Sequence, residues 1–542
     1  MRKTYSKERK EMAVSAVRVK EAQTRGGAKF LINLFASILL ISMNAAVHFF
    51  FTPYIVRAVG VEANGFVQLA ANFAQYISLI TIAVSSMSGR FITIAIEKGD
   101  LEKAGSYYTS IFWAYVALLG IMVILSTIVT AQLDSLINIP AQLVSDVKIL
   151  FGFAFANYAA ANIVSFCNTV FFVADRVYLQ QTGKAGTELI KASLIILLFS
   201  LFYPKIWYMT VAQLTVVPVA VIWGIWNKNR LRPDLRIRNN LFSLRRLKEI
   251  VSAGIWRSVQ SAGVMFLTGL DLPICNLFIS PAAMGVLALS KTVPMLVENL
   301  NSQIVVSFAP KLTIYYANTH KEALWLDLKR SFKMLAIIGT IPLACLIVFG
   351  RVFFSLWVPG QDARELWILS ILTCIQVALL AGVHPINNIF VAANKIKPQA
   401  ISVIISGAVS TTVLLTALRF TKWGVYAVAG TSGVINLARY LIYAIPASAS
   451  YLGFHKRRFY IGVLYSAICV SIALAIGAIV KFILKPDNWG VWILSCGITA
   501  VASLFASAGV ILNRREKKAL FRLARKWSSI FRKQREKFPP FP

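Results

Sequence analysis

The sequence predicts an all-α integral membrane protein with about fourteen transmembrane helices, built as two six-helix pseudo-symmetric lobes followed by a C-terminal helix pair. Three observations carry that expectation. Hydrophobic residues make up 57% of the chain against 14% charged, with a mean hydropathy of +0.67, a balance that is insoluble as a water-facing globule. Apolar runs of about 20 residues recur from end to end, and in lipid such runs select helices, which satisfy their own backbone N–H and C=O groups. The net charge of +34 is concentrated between those runs, which points to membrane sidedness rather than to nucleic acid.

In chain order, a basic tail (1–29) precedes a first apolar run at 30–56, too long for the core of a signal peptide and better read as a retained signal anchor. Further spans are expected at 66–87, 107–132, 147–172, 187–203 and 206–226, completing a first lobe over 30–226. A basic linker (227–250) leads to a second lobe (251–446) with spans at 251–279, 284–308, 331–349, 366–388, 399–419 and 424–446. Two more spans, 460–484 and 489–513, fall within 447–513, and a basic tail (514–542) ends the chain. Placing the N-terminus in the cytoplasm puts most of the 56 lysines and arginines on that side. Both termini are therefore expected to be cytoplasmic, in the inner membrane of a bacterium. The tails are also suited to anionic membrane lipids.

The two halves read as copies. At an offset of about 220 residues, Pro53, Ala63, Gly65 and Leu69 meet Pro273, Ala283, Gly285 and Leu289. At an offset of 219, NTVFFVADRVYLQ (168–180) lies on NNIFVAANKIKPQ (387–399), aligning Asn168, Phe171, Ala174 and Gln180 with Asn387, Phe390, Ala393 and Gln399, and Arg176 with Lys395. An even number of spans per copy makes the repeat parallel, with its axis along the membrane normal, the plan of transporters that rock two lobes about a central site.

The segment from Val59 to Asp100, the segment LDLPICNLFISPAAMGVLALSKTVP from Leu270 to Pro294, and IFVAANKIKPQA from Ile389 to Ala400 resemble the polysaccharide-export flippases of the multidrug, oligosaccharidyl-lipid and polysaccharide exporter superfamily. The resemblance covers nearly the whole chain in span count and lobe plan. It implies a V-shaped pair of lobes that alternate access for an undecaprenyl-pyrophosphate-linked oligosaccharide. It also implies that spans thirteen and fourteen are similar to a lipid-tail groove in the relative that flips the peptidoglycan precursor.

Charges inside spans cost about 2.5–3.5 kcal/mol near the helix centre, so each asks for a partner or a wet cavity. Asp271 and Lys291 lie at similar depths, roughly 13 and 12 Å from one face at 1.5 Å per residue, and suit an ion pair that either locks the hairpin or opens when phosphate arrives. Glu298 and Arg439 are a second candidate pair. Arg257 and Arg90 lie near cytoplasmic boundaries, where guanidinium groups either grip a pyrophosphate or anchor the helix. Asn44, His48, Asn72 and Gln75 on the first two spans either contact sugars, or carry a coupling proton, or bond helix to helix. His384, beside Pro385, marks a kink. The six cysteines, Cys167, Cys275, Cys345, Cys374, Cys469 and Cys496, lie in apolar runs without ligand spacing, so no metal, cofactor or disulfide framework is expected.

A flippase is the expected function, with a lipid-linked saccharide as partner and a proton or sodium ion as possible coupling ion. No G-x-x-x-x-G-K-[ST] loop for ATP occurs. The nearest alternative is a cation-coupled multidrug antiporter of the same superfamily, which the excess of intramembrane cations disfavours. An enzyme is disfavoured by short outer connections, the longest of which, near Gly350 to Glu365, holds Asp362, Arg364 and Glu365 but no histidine.

Overall fold

The computed structural model describes residues 49–174, 176–317, 320–514 and 516–517, with Met43, Ala46 and Val47. Regular structure among these residues is helical throughout, as expected. After α1 (Phe49–Val59) come α2 (Val61–Glu97), α3 (Leu101–Ala131), α4 (Val144–Val173), α5 (Val177–Leu201) and α6 (Tyr208–Leu231). The chain continues with α7 (Leu244–Gly269), α8 (Asp271–Phe278), α9 (Pro281–Ala317), α10 (Lys321–Trp357) and α11 (Ala363–Ala392). It ends with α12 (Ile396–Phe420), α13 (Val425–Leu452), α14 (Arg457–Leu484) and α15 (Trp489–Ile511). Eleven of these stretches are long and apolar enough to cross a membrane among the described residues. Of the expected spans from 66–87 onward, 187–203 and 284–308 fall on α5 and α9, which are not among the eleven, 251–279 runs over both α7 and α8, and the others each fall on one of the eleven; most of the first, 30–56, lies outside the described residues. The connection expected near Gly350 to Glu365 is mostly helix, because α10 runs to Trp357, and Asp362 is spent capping α11 through the amides of Arg364 and Glu365.

Packing divides the chain into two compact units, Met1–Leu289 with Ile396–Val428, and Ser290–Lys395 with Ala429–Pro542. In the first, α2 runs against α3, α4 and α7, and α7 against α12. Glycines allow these approaches, since helices in lipid associate by close packing rather than by hydrophobic exclusion. A Cβ on Gly254 of α7 would stand 1.9 Å from the carbonyl oxygen of Ala83 in α2. One on Gly65 would stand 2.8 Å from Cα of Gly285. The 220-residue repeat thus brings a glycine against its own equivalent.

Helix irregularities in both units trace to proline. Pro273 has no N–H to offer Gly269 four residues earlier; there α7 ends in a π turn, Met265–Gly269, and the Gly269 carbonyl instead accepts from the hydroxyl of Tyr76. In α13 a π turn at Tyr440–Ala444 has Ile445 N–H bonding Tyr440. The next donor in that register would be Pro446, so the Leu441 carbonyl is left over and takes the Tyr460 hydroxyl at 2.6 Å. The kink expected at His384 and Pro385 is a 3-10 segment, Ala381–Ile386, inside α11.

In the second unit α10 packs on α11, α14 and α15. The buried face of α15 is Ser495, Thr499, Ser503 and Ser507, small residues every fourth position. The repeat also recurs in backbone detail. Ala174 N–H bonds Val170 and Arg176 N–H bonds Phe171, at 2.9 and 2.8 Å; Ala393 bonds Ile389 and Lys395 bonds Phe390, at 2.8 and 2.7 Å.

Candidate functional site

Three charged residues of α5, Lys184, Glu188 and Lys191, are spaced four and three apart and therefore share one helix face. That face lines an open cavity of about 500 Å³ within the first unit, bordered also by α2, α4 and α6. Lys191 pairs with Glu188, their side chains only 14% and 21% exposed. Arg90 of α2 adds a third cation. Its neighbour Gly89 leaves room for the Phe172 ring, which a Cβ would meet at 2.6 Å. Lys184 follows Gly183, against which the Trp223 indole lies while donating to the Leu179 carbonyl at 3.1 Å.

Between the charges the lining mixes neutral polar residues, Ser165, Asn168, Thr187 and Gln213 among them, with the apolar Ala161, Val164, Phe172, Val216, Val217 and Ala220. Asn157 of α4 also lines it and is 5% exposed. Its Nδ2 donates to the carbonyls of Phe153 at 3.0 Å and Thr210 at 2.7 Å, and its Oδ1 has no donor among the described residues. With three cations and one acid, the cavity carries a net charge of +2. An anion with hydrogen-bonding substituents complements it; an organic cation does not. No group of three or more His, Cys, Asp or Glu able to hold a metal occurs among the described residues.

A polar cluster in the second unit surrounds Arg439. Its Nε and Nη2 donate to Asn436 Oδ1 at 3.2 and 2.9 Å, and Asn436 donates to Gln376 Oε1 at 3.0 Å. The guanidinium lies 4.6 Å over the Tyr440 ring, which stacks on His384 and whose hydroxyl accepts from Asn387 at 2.9 Å.

No family model matches the chain. It is 27% identical over 493 residues to the membrane protein EpsK of Bacillus subtilis (strain 168), across 91% of this chain and 97% of that one. Among solved structures it is similar to an inward-facing multidrug resistance MATE transporter of the MOP superfamily, at a TM-score of 0.60 and 14% identity, covering 82% of this chain and 98% of that one. It is also similar to the lipid II flippase MurJ in an inward closed conformation, at a TM-score of 0.63 and 13% identity, covering 89% and 98%. The fold is the one seen in these two transporters.

Within this fold the expected site residues scatter. Arg90 lines the cavity. Arg257 is exposed on α7 and bonds Gln260 one turn on, at 3.0 Å. Asn72 is half-buried and Gln75 exposed on α2; Gln75 bonds Tyr158 of α4, which fits a helix-to-helix role. Asn44 and His48 lie outside the described residues. Asp271, 4% exposed, opens α8 in the first unit, and Lys291, half-buried on α9, belongs to the second. Arg439 finds its partners at Asn436 and Tyr440 rather than at Glu298, which instead interacts electrostatically with Lys291 two turns back on the same helix face. Lys184, Glu188, Lys191 and Asn157 were not singled out from the sequence. The spacing of the α5 charges was there to be read, but the expected span began at 187 and cut through the set.

Proposed function

We propose that this protein carries a lipid-linked oligosaccharide with a pyrophosphate headgroup from the inner to the outer leaflet of a bacterial cell membrane, by alternating access, for cell-surface polysaccharide synthesis. The observation that carries this reading is the cavity's charge, three cations against one acid. A diphosphate diester bears about two negative charges, which the net +2 balances, and fixed cations at the polar end of a cavity attract it. With both termini cytoplasmic, α2 runs inward and α5 outward, so Arg90 and Lys184 stand at the inner-leaflet end, where such a headgroup enters. The likeness to a lipid II flippase supports the reading at the level of fold. Arg257 in the first unit, and Lys291 and Arg439 in the second, are further candidate contacts for the cargo. Moving one net charge across 100 mV involves about 2.3 kcal/mol, enough for the membrane potential to drive return of an empty cationic site.

The test is translocation of a fluorescent undecaprenyl-diphosphate-linked oligosaccharide in proteoliposomes. Hydrogen bonds to charged groups contribute about 1.5–3 kcal/mol, so Arg90→Ala and Lys184→Ala should each slow movement roughly ten- to hundredfold. Wild-type rates in both variants would remove the cavity from the path. Efflux of an organic cation without lipid movement would favour the antiporter instead. Arg257→Ala and Lys291→Ala in the same assay separate a headgroup site confined to the cavity from a longer cationic path.

A further inference from the structure

Resting on that reading, we propose that Phe172 is the platform of a saccharide subsite in the cavity, on whose ring the first sugar of the cargo stacks, so that a glycosylated carrier is distinguished from the bare lipid diphosphate. Ala161, Ser165, Asn168 and Phe172 of α4 all line the cavity. Spaced four, three and four apart, they form one stripe of that helix, and Phe172 stands at its end. The side chain is 59% exposed, and as a lining residue it offers surface to the cavity. One side of the ring is already taken, because Cδ1, Cγ and Cε1 lie against Gly89 of α2, where a Cβ would stand 2.6 Å from Cδ1. The ring is thus backed by one helix, carried by another and open in part.

The neighbours narrow what can occupy it. An aromatic face carries negative partial charge, and the C–H groups on a pyranose ring are weakly positive, so the two attract when stacked. The hydroxyls at the rim of the same sugar need polar partners, and Asn168 and Thr169, about one turn before Phe172, line the cavity beside it, as does Gln180 of α5. A prenyl chain would use the apolar bulk of Phe172 but would cover Arg90, Lys184 and Lys191 in the same lining without pairing them. Aromatic faces also attract organic cations, but here the net +2 repels them. Arg90 directly follows Gly89, so a cation that holds phosphate and the ring that receives the attached sugar come from adjoining positions of the lining. In a glycosyl diphosphate those two groups are likewise adjoining.

The experiment compares binding of two probes to the purified full-length protein: undecaprenyl diphosphate, and undecaprenyl diphosphate bearing one N-acetylglucosamine. Phe172→Leu keeps apolar bulk and removes the ring face; it should weaken the glycosylated probe about three- to tenfold and the bare one less than about twofold. Phe172→Tyr keeps the face and should stay within about twofold of wild type for both probes. Should Phe172→Leu fail to fold, Phe172→Met keeps the bulk in a more adaptable side chain and carries the same expectation. Equal weakening of both probes by the leucine variant, no weakening of the glycosylated one, or a loss in Phe172→Tyr as large as in Phe172→Leu overturns the subsite while leaving the transport reading intact. Wild-type protein that binds neither probe overturns both.

Discussion

Lys333 is 2% exposed, and its ammonium meets the Glu516 carboxylate at 2.6 Å, just past the last helix. The same carboxylate accepts the Asn513 amide at 2.8 Å, so one acid both satisfies a buried lysine and fixes the chain as it leaves α15. Removing one partner of such a pair strands the other. Glu516→Gln should therefore destabilise the second unit toward the lower end of about 3–5 kcal/mol, because Glu516 keeps some solvent, read as a fall in melting temperature in detergent. Burial alone would push the Glu516 carboxyl up, but the Lys333 hydrogen bond, the Asn513 amide and the charges of Lys333 and Arg330 outweigh it and hold the group below its ordinary value. A depressed carboxyl contributes stability above its unfolded value and loses it as pH falls through the folded one. The melting-temperature gap between wild type and Glu516→Gln should thus be full at pH 7 and close as the pH drops below about 4; a constant gap would mean the pair contributes nothing through its charge. Lys333 was hard to recognise from sequence for a physical reason. It stands at the start of an apolar run, where lysines ordinarily reach for the interface. Only the extension of α10 back to Lys321 and the return of the chain at Glu516 enclose it.

At the scale of helices, position was readable and irregularity only in part. Apolar runs marked where the helices lie because length and hydropathy are set by the bilayer. A proline's consequence depends on which neighbour supplies the missing donor. Pro385 was read as a kink and the helix does change form there, whereas Pro273 acts through Tyr76, far away in the chain, and Pro446 through Tyr460 on the next helix. Tyr460→Phe leaves the Leu441 carbonyl without that donor and should cost about 1–3 kcal/mol. Tyr426→Phe, at an exposed position of α13, the helix of Leu441, should leave the melting temperature unchanged; similar losses in both would show that the hydroxyl of Tyr460 is not what matters. The charged face of α5 makes the same point about legibility. Its 4-and-3 spacing is a helix signal in the sequence, but that the face looks into a cavity rather than toward lipid follows only from how α2, α4 and α6 pack around it.

For the whole molecule, the repeat was the most far-reaching feature visible in the sequence, and it fixes where one conformational contact lies. Gly65 and Gly285, equivalent at offset 220, meet at the starts of α2 and α9 within the first unit. At the same membrane face, by chain direction, the turn between α3 and α4 is tied to the end of α8. Asn138 N–H donates to Asn276 Oδ1 at 2.8 Å, and each side-chain amide donates to the other residue's carbonyl at 3.0 Å. The proposed alternating access breaks this reciprocal pair, which lies within the first unit, where it opens that face by parting α8 from the α3–α4 turn. Asn138→Cys with Asn276→Cys, on a background lacking the six native cysteines, should form a disulfide on mild oxidation and reduce flipping in proteoliposomes to the level of empty vesicles, with recovery on reduction. If the cross-linked protein still moves lipid at the uncross-linked rate, this face does not open during the cycle, and the cargo leaves by a route that keeps α8 against the α3–α4 turn.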